Sequence, residues 1–173
     1  MKKPGLRMKK PGLRIIKTGL AVMISMVISH IRPGGGLPFY SAIAAIISMQ
    51  QNVDDSFSVG VNRVIGTIFG GLMGLIYLVI VPDGSIPVFL DYFLIALVVT
   101  FIIWVMANVN RKSAVSIAAI VFLSITINHS KDPGGIPLDF ASSRVTDTLI
   151  GVLSAILVNY GHFELKKRIE KSR

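Results

Sequence analysis

The sequence has no cysteine, and only 16% of its residues are charged. The lack of cysteine excludes disulfide bonds, thiolate catalysis and cysteine-based metal sites. The three histidines are not spaced as metal ligands, and the G-x-x-x-x-G-K-[ST] loop that binds ATP phosphates is absent. No nucleophile and base converge in the apolar segments, so we expect neither an enzyme nor a bound cofactor or metal.

The few charges are unevenly distributed along a strongly apolar chain. Hydrophobic residues make up 52% of the sequence, and its mean hydropathy is +0.68. The segments 64–82 and 92–108 contain no Lys, Arg, Asp or Glu. Because a helix needs about 20 apolar residues to cross a bilayer, these segments predict a membrane protein.

The apolar segments predict an all-α polytopic membrane protein, since backbone groups left unpaired in lipid are costly and helices pair them internally. One six-helix membrane domain is expected at 14–161, between a basic tail at 1–13 and another at 162–173. The sequence begins with a tandem copy of M-K-K-P-G-L-R, at 1–7 and 8–14. A small duplication would explain it, as would an extended start in which Met8 is the working initiator. A secretory signal is an alternative, but no A-x-A-like site follows. The predicted helices are 14–31, 37–51, 61–81, 89–109, 114–128 and 140–161.

The basic residues indicate the orientation of the chain. Most of the 18 Lys and Arg residues lie in the two tails, and Arg111 and Lys112 lie between the fourth and fifth predicted helices. The positive-inside rule therefore predicts that both termini are cytoplasmic. The net charge of +9 is better explained by anionic lipid headgroups than by nucleic acid, because no aromatic and basic recognition pattern accompanies it.

An internal repeat divides the chain into two halves, 14–81 and 89–161. The pattern R-V-x-x-T-x-x-G-x-L occurs at 63–72 and again at 144–153, and the string I-A-A-I occurs at 43–46 and 117–120. Each half contains three predicted helices, so the second half enters the membrane from the opposite side and the halves are expected to be inverted repeats. The predicted helices two and five are the shortest. Short segments at matching places in two halves indicate a site at the membrane midplane, unless the predicted lengths of these helices are too small.

The repeated pattern carries the candidate site residues. Arg63 and Arg144 share a helix face with Thr and Gly, so each either snorkels to the membrane surface or points into a polar cavity. Asp147 lies three residues after Arg144 and is expected to pair with it, as a structural ion pair or as part of a substrate or proton-coupling site. Gln50 and Gln51 belong to a cytoplasmic loop or line a vestibule.

The glycines of the repeated pattern indicate close helix packing. Gly66, Gly70 and Gly74 lie in G-x-x-x-G register, and Gly151 occupies the position in the second copy that Gly70 has in the first. A glycine face allows another helix to approach closely where lipid offers no hydrophobic driving force.

Four stretches of the sequence are distinctive: K-T-G-L-A-V, P-F-Y-S-A-I-A-A-I-I-S-M-Q, G-V-N-R-V-I-G-T-I-F-G-G-L-M-G and R-V-T-D-T-L-I-G-V-L-S-A-I-L-V-N. They resemble the membrane domain of the aromatic acid exporter family, within the fusaric acid resistance superfamily, in a similarity that covers roughly 14–161. The resemblance implies a bacterial plasma-membrane efflux permease for small organic anions, in particular aromatic carboxylates.

Two expectations about partners accompany that resemblance. The chain is expected to form a homo-oligomer in the lipid bilayer. Because many similar proteins carry a cytoplasmic domain after the sixth helix, the alternative function is a non-transporting membrane module that assembles with or anchors a partner protein.

Overall fold

The structure, a computed structural model, describes residues 12–82, 84–109, 111–129 and 137–171. In these ranges all regular secondary structure is helical, and the six helices that the sequence predicts are present. They are α1 Leu13–Ile31, α2 Pro38–Ser48, α3 Val53–Ile80, α4 Val88–Asn108, α5 Lys112–His129 and α6 Pro137–Lys171.

Four of the six helices are long and apolar enough to cross a membrane, namely α1, α3, α4 and α6. The shortest helices are α2 and α5, with 11 and 18 residues, as the sequence predicts. At 1.5 Å per residue α2 is roughly 16 Å long, against a hydrocarbon core of about 30 Å. The turns at both ends of α2 therefore lie within reach of the bilayer core.

Two helices extend beyond their predicted ends. α3 begins at Val53 rather than near residue 61, with Asp54 and Asp55 in its first turn, where carboxylates favour the exposed N–H groups of the helix. α6 has 35 residues and runs on through the segment predicted as a basic tail. Apolar runs mark only the part of a helix that faces lipid, whereas Glu, Lys and Arg continue a helix readily in water.

The helices pack so that each half contacts the other. α3 packs mainly on α5, α6 packs mainly on α2, and α3 and α6 also contact each other. α1 packs on α2 and α6, while α4 packs on α5. The two helices that carry the repeated pattern therefore each lie against the I-A-A-I helix of the opposite half.

Glycines of the repeated pattern lie at these contacts. A Cβ atom at Gly70 would lie closer than 3.0 Å to the backbone of Ala118, and one at Gly151 would collide with the backbone of Ser41 and with Ala44. Ala44 and Ala118 are equivalent positions of the two I-A-A-I strings. The two halves thus use the same pair of positions for their closest helix contacts.

Gly66 and Gly74 extend this contact along α3. A Cβ atom at Gly66 would lie 2.8 Å from the carbonyl oxygen of Ala114, and one at Gly74 would lie 3.0 Å from Ile125. Since the partner residue number rises with the glycine number, α3 and α5 run parallel.

The outer surface of the bundle is apolar. α4 is apolar all round and buries few residues, and it exposes Phe89, Phe93 and Trp104. A helix that is hydrophobic on every side suits a membrane span. The buried positions of the other helices include several small or polar side chains, such as Ser41 and Thr67.

Candidate functional site

The two copies of the repeated pattern meet where α3 crosses α6. The hydroxyl oxygens of Thr67 and Thr148 are 3.5 Å apart. A Cβ atom at Gly60, seven residues before Thr67, would touch Val152, which lies four residues after Thr148. The two helices therefore run antiparallel, and the positions one turn before each threonine lie on opposite sides of the crossing. Arg63 and Arg144 occupy those positions, one on each side of the threonine contact.

Arg144 is buried against an aromatic ring. Its side chain is 6% exposed, and its guanidinium carbon lies 3.4 Å from the centroid of the Tyr40 ring. The Tyr40 ring in turn meets Phe140 edge to face, with centroids 6.3 Å apart. A cation over a ring face is stabilised by the ring quadrupole, so this arginine is held inside the bundle and does not snorkel to the surface.

Asp147 is fully buried and accepts contacts from three directions. The Ser29 hydroxyl donates to its carboxylate at 2.7 Å, and the Leu37 backbone N–H donates at 2.8 Å. A guanidinium nitrogen of Arg32 lies 3.7 Å from the same carboxylate. These donors come from the end of α1, from the α1–α2 turn and from the residue before α2.

The predicted ion pair between Arg144 and Asp147 is therefore wrong, since the partner of Asp147 is Arg32. Helix geometry explains the difference. Side chains of a helix lean towards its N-terminus, so Arg144 extends away from Asp147, and pairs with the acid on the C-terminal side are the weaker arrangement. Arg144 is still close enough for the charge of Asp147 to act on it.

The site carries more positive than negative charge. The Nε atoms of Arg32, Arg63 and Arg144 are buried without a hydrogen-bond partner. In the described part of the chain, the one ion pair is that of Arg32 with Asp147. Of these three guanidinium groups only that of Arg32 contacts a carboxylate, while that of Arg144 lies against the Tyr40 ring. Because buried charges require pairing, this arrangement favours an anion.

Gln50 and Gln51 lie away from Asp147. The Gln50 side chain accepts a hydrogen bond from Arg14 at 3.4 Å, near the start of α1, and Gln51 is exposed. The backbone of Gln50 contacts Asn159, which lies twelve residues after Asp147 and so about 18 Å further along α6. The two glutamines belong to the opposite end of the bundle from the Asp147 carboxylate.

That opposite end is organised by Asn159, which the sequence reasoning missed. Its side-chain N–H group donates to the carbonyls of Gln50 and Asn52 and to the Ser56 hydroxyl, at 2.9 to 3.2 Å. Its oxygen accepts from Lys17 at 2.7 Å. The sequence did offer a signal, since Asn159 is an amide in an otherwise apolar run. Such a group needs hydrogen-bond partners in a membrane helix.

Arg32, Ser29 and Tyr40 were also missed as site residues. Arg32 carries a charge beside a P-G-G-G turn and lies outside the predicted helices, and Ser29 is a small polar residue within an apolar helix. Tyr40 lies in the P-F-Y-S string that opens α2. None of the three belongs to a repeated sequence pattern, so only the charge of Arg32 could have indicated a site.

Comparison with known proteins identifies the family. A family model described as fusaric acid resistance protein-like matches residues 13–158. The chain belongs to this family. Membership in the fusaric acid resistance protein-like family confirms the predicted superfamily, and the four long apolar helices fit a multi-pass membrane protein.

A curated relative also matches. The chain is 28% identical over 122 residues to the UPF0421 protein YgaE of Bacillus subtilis (strain 168). The match covers 70% of this chain and 31% of the relative. The matched segment thus spans about a third of the length of that protein.

Proposed function

We propose that this protein is an efflux permease for small organic anions, with aromatic carboxylates as the substrate class. The observation that carries the proposal is that Arg63 and Arg144, on either side of the crossing of α3 and α6, have no contacting carboxylate in the described part of the chain. Asp147 is paired with Arg32 of the α1–α2 turn, and the Nε atoms of all three arginines lack a hydrogen-bond partner. A planar guanidinium binds a carboxylate through two parallel hydrogen bonds, which makes arginine suited to this ligand.

The surroundings of Arg144 support an aromatic substrate. The Tyr40 ring lies under its guanidinium, and Phe140 adjoins that ring. An aromatic carboxylate entering this region would find a cation for its carboxylate and ring faces for its apolar part.

The proposed transport path runs along the crossing of α3 and α6. Arg63 and Arg144 lie on opposite sides of the Thr67 and Thr148 contact, so an anion passing along it meets one guanidinium before the other. The equivalent packing of Gly70 and Gly151 on Ala118 and Ala44 supports two inverted repeats related by an axis near the threonines. Such repeats are a feature of secondary transporters.

The experiment measures efflux of benzoate and its hydroxylated derivatives from liposomes containing the purified chain, with an imposed proton gradient. We expect Arg63→Lys and Arg144→Lys each to lower the rate by about tenfold or more, since hydrogen bonds to charged groups contribute about 1.5–3 kcal/mol. Lys keeps the charge but loses the planar fork. Arg111→Lys is the control, because Arg111 is exposed and contacts Asn62.

Wild-type rates in both test variants, with normal protein levels and oligomeric state, would refute the anion site. Absence of efflux by the wild-type chain would instead favour the alternative, a membrane module that assembles with or anchors a partner.

A further inference from the structure

The turn between α1 and α2 forms a receptor for a carboxylate. Three hydrogen-bond donors converge there from different origins: the Ser29 hydroxyl, the Leu37 backbone N–H and the Arg32 guanidinium. Leu37 precedes Pro38, the first residue of α2, so its N–H group lies at the positive end of that helix. A hydroxyl, an amide and a guanidinium together match the acceptor-only chemistry of an ionised carboxylate.

The turn also has contacts that do not involve Asp147. Arg32 also donates to the carbonyl of Gly35 at 2.9 Å. Gly34 and Gly35 have φ angles of 86° and 72°, a left-handed conformation that favours glycine. A Cβ atom at Gly36 would collide with the backbone of Ser29, so the turn folds closely on the end of α1. Such preorganisation lowers the ordering cost of binding a ligand.

The carboxylate now in this receptor is internal, that of Asp147 from α6. Asp147 is fully buried, whereas the side chain of Arg32 is 19% exposed. The receptor is therefore open to the exterior of the bundle on the Arg32 side and closed by α6 on the Asp147 side. An external carboxylate can approach from the Arg32 side and compete for the same donors.

The charge balance favours this exchange. Arg32 contacts Asp147, and Arg144 lies three residues before Asp147 on α6. Arg144 is 6% exposed and its Nε atom has no hydrogen-bond partner. A second carboxylate at Arg32 would give this end of the bundle two cations and two anions.

We infer that Ser29, Arg32 and the Leu37 N–H form an anion-binding subsite at the α1–α2 turn, and that Asp147 is its internal ligand, which a carboxylate substrate displaces. This inference deepens the proposed function, since the subsite would receive the anion as it leaves Arg144. The binding step itself does not require transport.

The test measures benzoate affinity of the purified full chain in detergent, by isothermal titration. The Asp147→Asn substitution keeps the size of the side chain but removes its charge, so the new side chain competes poorly for the guanidinium. We expect Asp147→Asn to bind benzoate about tenfold more tightly or better, because an occupied site reduces apparent affinity by the fraction that is free. If Asp147 instead assisted benzoate binding, Asp147→Asn would lower the affinity for benzoate.

Two controls isolate the subsite. Asp91→Asn removes a carboxylate that hydrogen-bonds to Tyr77 between α3 and α4, so it tests the effect of net charge and should leave benzoate affinity unchanged. Adding Arg32→Gln or Ser29→Ala to Asp147→Asn should abolish the gain, because each removes a donor of the subsite.

A second measurement covers the case in which these variants fold poorly. Asp147→Ala leaves the donors without a ligand, so formate should raise its midpoint temperature of unfolding, while neutral formamide and chloride should not. Unchanged or weaker benzoate binding by a folded Asp147→Asn variant overturns the inference, as does a gain that persists with Arg32→Gln or an Asp147→Ala variant that formate does not stabilise.

The outcomes also separate this inference from the proposed function. Tighter benzoate binding by Asp147→Asn, together with no efflux by the wild-type chain, would support the subsite and refute the permease. Efflux by the wild-type chain without a gain in binding would support the permease and refute the subsite.

Discussion

Adjacent glycines in α3 offer a sharp test of the helix contact between the two halves. A Cβ atom at Gly70 would lie 2.9 Å from the carbonyl carbon of Ala118 and closer still to its oxygen. A Cβ atom at Gly71 would have the side chain of Ile125 as its nearest neighbour, at 3.8 Å, which is an ordinary contact. Gly70→Ala and Gly71→Ala therefore make the same chemical change in the same helix turn and differ in the space available.

The expected effects have opposite signs. Each substitution gains up to about 1 kcal/mol from the higher helix propensity of alanine. At Gly70 the obstacle is backbone, which no side-chain rotation can clear, so α3 and α5 must separate. Overpacking of this kind costs about 1–3 kcal/mol, and separation also weakens the neighbouring contacts of Gly66 and Gly74.

Thermal unfolding of the purified variants in one detergent measures the difference. For a chain of this size 1 kcal/mol shifts the midpoint by about 2–4 °C, so we expect Gly70→Ala to unfold several degrees below Gly71→Ala. Size-exclusion chromatography controls for altered assembly. Equal midpoints for the two variants, both at or above that of the wild type, would refute the close contact of Gly70 with Ala118.

Two further predictions concern the ends of the bundle. Asn159→Leu should lower the free energy of unfolding by about 1–3 kcal/mol, because Lys17 and the carbonyls of the α2–α3 turn lose their partner. The control is Asn108→Leu, at an exposed position. Equal thermal midpoints for the two variants would contradict the role of Asn159. Reporter fusions at residues 1 and 173 should both report a cytoplasmic location, because the Lys17 contact with Asn159 brings the start of α1 beside the late part of α6; opposite locations would exclude an even number of spans.

The helices could be predicted from the sequence because the signal for each is local. Charge-free apolar runs locate the spans, and the shortness of α2 and α5 follows from the length of their runs. The early start of α3 at Val53 was not visible in the same way. Its first two turns contain Asp54, Asp55 and other polar residues, and hydropathy does not distinguish a polar helical turn from a loop.

The site was only partly predictable, because ion pairs join residues that are distant in sequence. Arg144 and Asp147 stand out through their charge, but the partner of Asp147 lies in a turn more than a hundred residues earlier. Sequence spacing favours the nearest cation on the same helix. Only the packing of α1 and α2 on α6 brings Arg32 and Ser29 to that carboxylate.

The polar contacts also show where the two halves differ. α6 holds the α1–α2 hairpin at one end through Asp147 and at the other through Asn159. The equivalent positions of the first copy of the repeat, in α3, are Gly66 and Leu78, which carry no polar side chain. α3 therefore contacts α5 there through close apolar packing, as at Gly66 against Ile117.

Under the proposed function, this difference indicates where a carboxylate would act. Electrostatic contacts exchange partners when an anion arrives, whereas van der Waals contacts between helices do not respond to its charge. A carboxylate that competes with Asp147 would loosen α6 from the α1–α2 turn and leave the packing of α3 on α5 intact. If the proposed substrate acts in this way, movement should begin at the α1–α2 hairpin, with α3 and α5 as the part of the bundle against which it moves.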